Sequence, residues 1–337
     1  MSLGSKIEWC HASINFWWGC TEVSPGCANC YAREWSRYAS RRLFGRFISW
    51  GRNAPRAERL QAARAEAEKL NRKAKKLGVR YRVFTNSMSD WLDDAVPIEW
   101  LKEMLRTIYL TPHLDWLLLT KRPQNFGDRV GSIKCGPGDD DAFAAWIIGW
   151  LLAGGTIPTD DGPFPITPPH NLWVGTSVEN QEWADKRIPL LLDIPAARHF
   201  LSCEPLLGPV DLHLLELLQD AQDGGPMPPQ WVIVGGESGP KAKPMPDEWA
   251  RSLLDQCAQA GVAFFFKQWG EWLPWDQVAQ PILDHGQTRD EKARCTKVGK
   301  ILAGRLLDGA EWNQYPASVA PEPDEPATAD LSLTPAS

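Results

Sequence analysis

Short, nearly uninterrupted apolar runs recur along the chain, each followed by a polar cluster and then by a stretch with helical spacing. They predict strands at 13–19 (SINFWWG), 81–86 (YRVFTN), 115–120 (DWLLLT), 171–177 (NLWVGTS), 198–203 (RHFLSC), 230–236 (QWVIVGG) and 262–268 (VAFFFKQ). Apolar positions three and four apart predict helices at 98–110, 184–194 and 247–261. The run AERLQAARAEAEKLNRKAKKLG reads as a further helix ending at Gly78. Strands apolar on both faces and alternating with helices imply a parallel sheet buried on both sides, hence the α/β class. Polar residues follow nearly every strand, among them Asn86, Ser87, Asp90, Thr120, Lys121, Ser177, Glu179, Glu204, Glu237 and Gln268. In a barrel such strand ends converge on one mouth, whereas an open doubly wound sheet gathers them at a single switch point. The expectation is a (β/α) barrel, partial or complete, with six to seven parallel strands.

Two stretches break the rhythm. Residues 127–170 carry CGPGDDDAF, the apolar piece AWIIGWLLAGG and the proline-rich GPFPITPPHN, and read as an insertion whose apolar part packs on the barrel. Residues 316–337 have a Pro/Glu/Ala-rich composition that cannot bury a core and are expected to be disordered, leaving 1–315 as the folded unit.

Composition narrows the classes. No apolar run approaches the roughly 20 residues that span a bilayer, and the start MSLGSKIEW has no signal-peptide character, so the expected location is the cytoplasm. Eight cysteines in that setting bind metal or do chemistry more often than they form disulfides. The scattered ones, Cys10, Cys135, Cys203, Cys257 and Cys295, read mostly as small buried hydrophobes. The net charge of −6 conceals a segment from Arg33 to Arg82 with 16 Lys and Arg against four acids. That segment points to a polyanion such as DNA, or else to a solvated helix face. The 18 tryptophans suit packing, with stacking on a planar substrate as the alternative.

The chemistry concentrates in GCTEVSPGCANCYA, where Cys20, Cys27 and Cys30 stand as C-x6-C-x2-C directly after the first predicted strand. Structural zinc would need a fourth ligand, from Cys10 or His11. A site-differentiated 4Fe–4S cluster needs the three thiolates alone and leaves one iron open. Spacing and position favour the cluster and leave zinc open. Neither a P-loop nor a dinucleotide fingerprint is present, since GGESGPKAKP lacks the GK[ST] ending.

The motifs KIEW, GCTEVSPGCANCYA, NSMSD, LLTKRP, GTSVENQ, SCEPLLGPVDL, VIVGGESGP and FFFKQWGEW, in this order, resemble those of a phage and bacterial family of radical-SAM-like proteins. The resemblance runs from Lys6 to about Trp272, except over 127–170. The superfamily usually spaces its ligands C-x3-C-x2-C, and this chain has three residues more between the first two. The resemblance implies a 4Fe–4S cluster on Cys20, Cys27 and Cys30, with S-adenosyl-L-methionine chelated to the open iron. Its one-electron cleavage then gives a 5′-deoxyadenosyl radical. An electron donor such as flavodoxin or ferredoxin is implied as a partner.

Around that centre, Asn86, Ser87, Ser177, Glu179, Gly235 and Gly236 are the candidate cofactor-binding residues, the two glycines because a chain without Cβ lets a ligand approach. A tight turn is the alternative for the glycines. Cys203, Glu237 and Lys267 are the catalytic candidates. Lys121, Arg122, Arg41 and Arg42 are the candidates for substrate or nucleic-acid contact; for Lys121, Arg122 and Lys267 the competing reading is a salt bridge to Glu204, Glu237 or Asp90. The expected function is modification of a base in DNA, for example isomerisation of an amino-acid-modified thymidine, in the host cytoplasm if the chain is phage-encoded. The alternatives are repair resembling spore photoproduct lyase and a non-catalytic, zinc-stabilised nucleic-acid-binding protein.

Overall fold

The computed structural model describes residues 5, 7–136, 140–157, 163–277 and 288–317. The tail expected at 316–337 falls outside these residues from 318 onward. Seven strands form one sheet: β1 (Ala12–Ile14), β2 (Tyr81–Thr85), β3 (Leu114–Thr120), β4 (Leu172–Ser177), β5 (Arg198–Cys203), β6 (Trp231–Gly235) and β7 (Ala263–Gln268). They lie in sequence order and every neighbouring pair is parallel. The first and last strands do not pair, so the sheet is a half barrel. Helices α1 (Tyr31–Phe44) and α2 (Leu60–Leu77) follow β1, α3 (Ile98–Tyr109) follows β2, and α4 (Phe126–Gly131) and α5 (Asp141–Leu151) follow β3. Each later crossover adds one: α6 (Gln181–Leu192), α7 (Leu214–Gln222) and α8 (Asp247–Ala260).

Strand alternation sorts the side chains into two layers. Val83, Trp116, Leu118, Val174, Leu201, Val232, Phe264 and Phe266 face outward into the main core with Leu101, Leu105, Ile188, Leu253 and other helix residues. Phe84, Leu117, Trp173, Phe200, Trp231, Ile233 and Phe265 face inward. With no strand to close the barrel, the incoming chain fills its hollow: Trp9 lies 4.5 Å from the Phe84 ring and about 6 Å from Phe200 and Trp231. At the far edge Phe266 N donates to Trp312 O (2.9 Å) and Gln314 N to Phe264 O (3.1 Å), so a late segment covers the exposed ladder of β7.

Six strands fall within one residue of their expected limits at each end; the first does not. Its ladder stops at Ile14, because the next donor, Phe16 N, bonds the side-chain Oδ1 of Asn86 at 2.8 Å. Asn86 holds the left-handed backbone (φ 59°) that asparagine tolerates. The chain leaves the sheet there, and Trp17–Trp18 pairs antiparallel with Ala57–Glu58. The apolar piece of the insertion packs on the outer layer as expected: Phe143, Ile147 and Trp150 of α5 are buried, and Trp150 stacks on Trp91 at 6.2 Å. Among the described residues no helix is long and apolar enough to cross a membrane.

Candidate functional site at the mouth of the half barrel

Above the aromatic layer the inward positions turn polar: Lys121 beyond β3, Ser177 on β4, Ser202 and Glu204 at β5, Glu237 beyond β6 and Lys267 on β7. They line a cavity of about 610 Å³, within the ordinary range for a small-molecule site. Ile7 and Trp9 form part of its wall from the incoming segment, and Cys20, Cys27 and Cys30 from the loop after β1.

The cysteine loop is fastened from several sides. Two buried arginines hold Thr21: Arg122 Nη2 donates to its carbonyl (2.7 Å) and Arg56 Nη2 to its hydroxyl (2.8 Å). Each arginine is itself neutralised, Arg122 by Asp90 (2.8 Å) and Arg56 by Asp93 (2.6 Å). Across the mouth Asn29 Nδ2 donates to Lys241 O at 3.0 Å. Beneath the loop lies Glu179, fully buried, which accepts from Ser24 Oγ (2.6 Å) and Arg187 Nη1 (2.8 Å) and pairs with Lys121. A Cβ on Gly26 would stand 2.7 Å from this carboxylate, so the second turn of the loop passes at backbone distance. Burial raises the Glu179 carboxyl, but Lys121, Arg187 and the Ser24 hydroxyl outweigh it and hold it below its usual range. Arg187 is pushed down by burial, because Glu179 offsets only part of its desolvation and its Nε and Nη2 have no partner.

The thiols are free of disulfides. Arg122 Nη1 lies 3.7 Å from Cys20 Sγ, and Ser24 Oγ lies 3.8 Å from Cys27 Sγ. Burial, with Asp90 nearby, pushes the Cys20 thiol up to about 12, and burial also raises Cys30, which caps α1. Among the described residues no group of three or more His, Cys, Asp or Glu is placed to hold a metal ion as it stands. The proposed fourth zinc ligands are engaged elsewhere. The Cys10 thiol bonds Ser5 Oγ (3.3 Å), and His11 Nδ1 accepts from Arg82 N (2.9 Å). A zinc ion draws four donors to about 2.0–2.3 Å of one point; a cluster spreads its thiolates over separate irons. The three thiols share one cavity wall and supply the donor type a cluster uses, but would have to draw together to hold one. Three lining residues also bury a polar atom that lacks a protein partner, Trp9 Nε1, Arg33 Nε and Gln268 Oε1, none of them open to the cavity.

The other predicted site residues divide. Asn86, Ser87, Ser177, Gly236, Glu237, Lys121, Arg122 and Lys267 line the cavity. Most are already engaged: Lys267 Nζ donates to Glu204 Oε1 at 2.6 Å, Glu237 Oε2 accepts from Lys243 N at 2.8 Å, and Ser87 Oγ bonds Ser13 and Asn15. The salt-bridge reading holds for Arg122 and Lys267; Lys121 takes Glu179 instead. Gly236 is a glycine for a backbone reason, since a Cβ there would lie 2.0 Å from Trp269 O.

Cys203, Glu179, Gly235, Arg41 and Arg42 are absent from the lining. Cys203 points outward into the helix-covered core, fully buried, because Ser202 and Glu204 take the inward phase. Arg41 and Arg42 are exposed near the far end of α1. The basic segment is only partly a surface, since Arg56, Arg64 and Arg80 are spent on Asp93, on Glu68 and Glu103, and on Asp115. Sequence reading placed Glu204 at the mouth as a salt-bridge partner and did not assign Trp9, Tyr31 or Ser202 to the site. Strand phase, had it been readable, would have found Ser202.

The fold and site define a class: an α/β chain of sequential parallel strands, curled into a half barrel, with a three-cysteine loop at the mouth of its cavity. A family model described as "Protein of unknown function (DUF5131)" matches residues 4–316, and the chain belongs to that family. No match was found among curated proteins or among solved structures.

Proposed function

We propose that this protein is a radical S-adenosyl-L-methionine enzyme carrying a 4Fe–4S cluster on Cys20, Cys27 and Cys30, and that it modifies a base in DNA. The carrying observation is that three free thiols of one loop line a single cavity at the C-terminal mouth of a sequential parallel half barrel. When bound, the cluster and its cofactor supply a carbon radical able to take hydrogen from an unactivated C–H bond.

The chain's own residues do the rest. Arg56, Arg122 and Glu179 hold the loop in place, and Arg122 sets a positive charge beside the Cys20 sulfur. The aromatic layer under Trp9 keeps water from the floor of the cavity. Glu204 with Lys267 offers a charged pair on the wall. A base must leave the stack to reach such a cavity. The exposed arginines of α1 support a polyanion partner. The reaction we favour is isomerisation of an amino-acid-modified thymidine, which returns the hydrogen it takes and needs no net oxidant. Flavodoxin or ferredoxin would supply the electron, in the cytoplasm.

The test is anaerobic purification, reconstitution with iron and sulfide, and visible and EPR spectra of the reduced protein with and without S-adenosylmethionine. A brown protein whose signal shifts with the cofactor and which, reduced by dithionite with no DNA present, cleaves it to 5′-deoxyadenosine is expected. A colourless protein holding one zinc ion overturns the reading.

A further inference from the structure

Helix α1 is patterned the wrong way round for a core helix. Its buried positions are small, Ala32, Ser36 and Ser40, while its large aromatics face solvent: Tyr31 is 55% exposed, Trp35 57% and Tyr38 78%. Burying an aromatic ring is among the larger single gains in folding, so a helix that shows three of them forgoes that gain. Positions 31, 35, 38 and 42 follow the i, i+4, i+7, i+11 spacing, which places the rings and Arg42 on one stripe. At about 1.5 Å per residue the stripe is roughly 16 Å long. Its first ring is also a wall of the cavity, where Tyr31 Oη donates to Ser87 O at 3.0 Å. Its far end is cationic: Arg41 lies over the exposed Phe47 ring at 5.8 Å, with Arg42 and Arg46 exposed beside it.

We propose that this face of α1 is a stacking track for an unpaired nucleic-acid strand, entering over Arg41 and Arg42 and reaching the cavity at Tyr31. The proposal deepens the nucleic-acid half of the function proposed above and rests on it. Rings in series with arginines at one end serve single strands, because an unpaired base has a free face to stack and its phosphates need cations. A duplex hides those faces and uses the cations alone. An interfacial helix buries a continuous apolar face of Trp, Phe and Leu, whereas this stripe carries two tyrosines and one tryptophan, and Leu43 is the one large aliphatic residue α1 exposes.

The test uses the full chain, a labelled 15-nucleotide oligo(dT) and a blunt duplex of the same length, read by fluorescence anisotropy over a salt series. The single strand should bind more tightly than the duplex and quench tryptophan emission. Trp35→Ala and Tyr38→Ala should each weaken single-strand binding about ten-fold. Arg41→Ala with Arg42→Ala should flatten the salt dependence by about two phosphate contacts. All these side chains are exposed, so melting temperatures should stay at the parent value. No binding, unchanged affinity in the aromatic variants, or duplex bound as tightly as single strand overturns the proposal. So does aromatic-dependent binding to phosphatidylserine vesicles, or an aromatic-dependent dimer, in place of strand binding. Release of 5′-deoxyadenosine without strand binding removes the track and leaves the radical chemistry standing; strand binding by a colourless protein does the reverse.

Discussion

Glu179→Gln keeps the shape of the side chain and deletes one buried charge. The carboxylate is fully buried and holds Arg187 at 2.8 Å, Ser24 at 2.6 Å and Lys121 in one cluster beneath the cysteine loop. Removing one partner of a buried ion pair costs about 3–5 kcal/mol, because the other charge is left in low dielectric. The Arg187 side chain is 2% exposed and has no route to water, whereas Lys121, at 21%, can turn outward. The lower end, about 3 kcal/mol, therefore applies. In a chain of this size that lowers the melting midpoint by about 6 °C. The effect carries a pH signature. The folded carboxyl is held below its ordinary value, so its contribution is complete above the unfolded value of about 4.3 and is lost as pH falls through the folded one. Thermal melts followed by circular dichroism should show the widest gap between parent and variant at neutral pH and a narrowing gap in acid. A variant melting within about 1 °C of the parent at pH 7, or a gap that grows as pH falls, would refute the reasoning.

Cys27→Ala should lose its iron and brown colour while keeping the parent's far-UV spectrum and melting midpoint; global unfolding would mean that a metal carries the fold. Gly236→Ala drives a Cβ to 2.0 Å from the Trp269 carbonyl oxygen, so the urea midpoint should fall by the equivalent of about 1–3 kcal/mol at unchanged slope. Cys203→Ala should cost about 1 kcal/mol as a small core cavity and leave the yield of 5′-deoxyadenosine intact; a folded variant without turnover would restore Cys203 to the chemistry.

The strand-to-helix rhythm was legible because each parallel strand is apolar on both faces and ends at a polar cluster. The same property hid the phase. In RHFLSC nothing distinguishes the inward Phe200 and Ser202 from the outward Leu201 and Cys203, so the thiol that suggested chemistry lies on the helix side. Phase is set by pairing with strands far away in the sequence. The break after Ile14 was invisible for a similar reason, since it depends on Asn86 reaching across from the next strand. The cysteine loop was legible from spacing, but its supports were not: Glu179 serves the loop through Gly26 and Ser24, more than 150 residues earlier, and resembled a mouth residue until its burial was seen. Trp9 carries no local pattern, and its place in the hollow follows from a barrel that stops at seven strands.

That tryptophan sets an order of events on the ribosome. Trp9 precedes three of its surroundings, Trp231, Phe265 and Tyr315, by more than 200 residues, and Tyr315 Oη reaches back to Glu8 O at 3.5 Å. Domains form as their segments emerge, and contacts of long sequence separation wait for the later partner. The loop with Cys20, Cys27 and Cys30 is therefore outside the exit tunnel long before the wall that encloses it exists. During synthesis the three thiols stand open to the solvent until Gly236, Glu237, Lys267 and Lys300 arrive to complete the chamber around them.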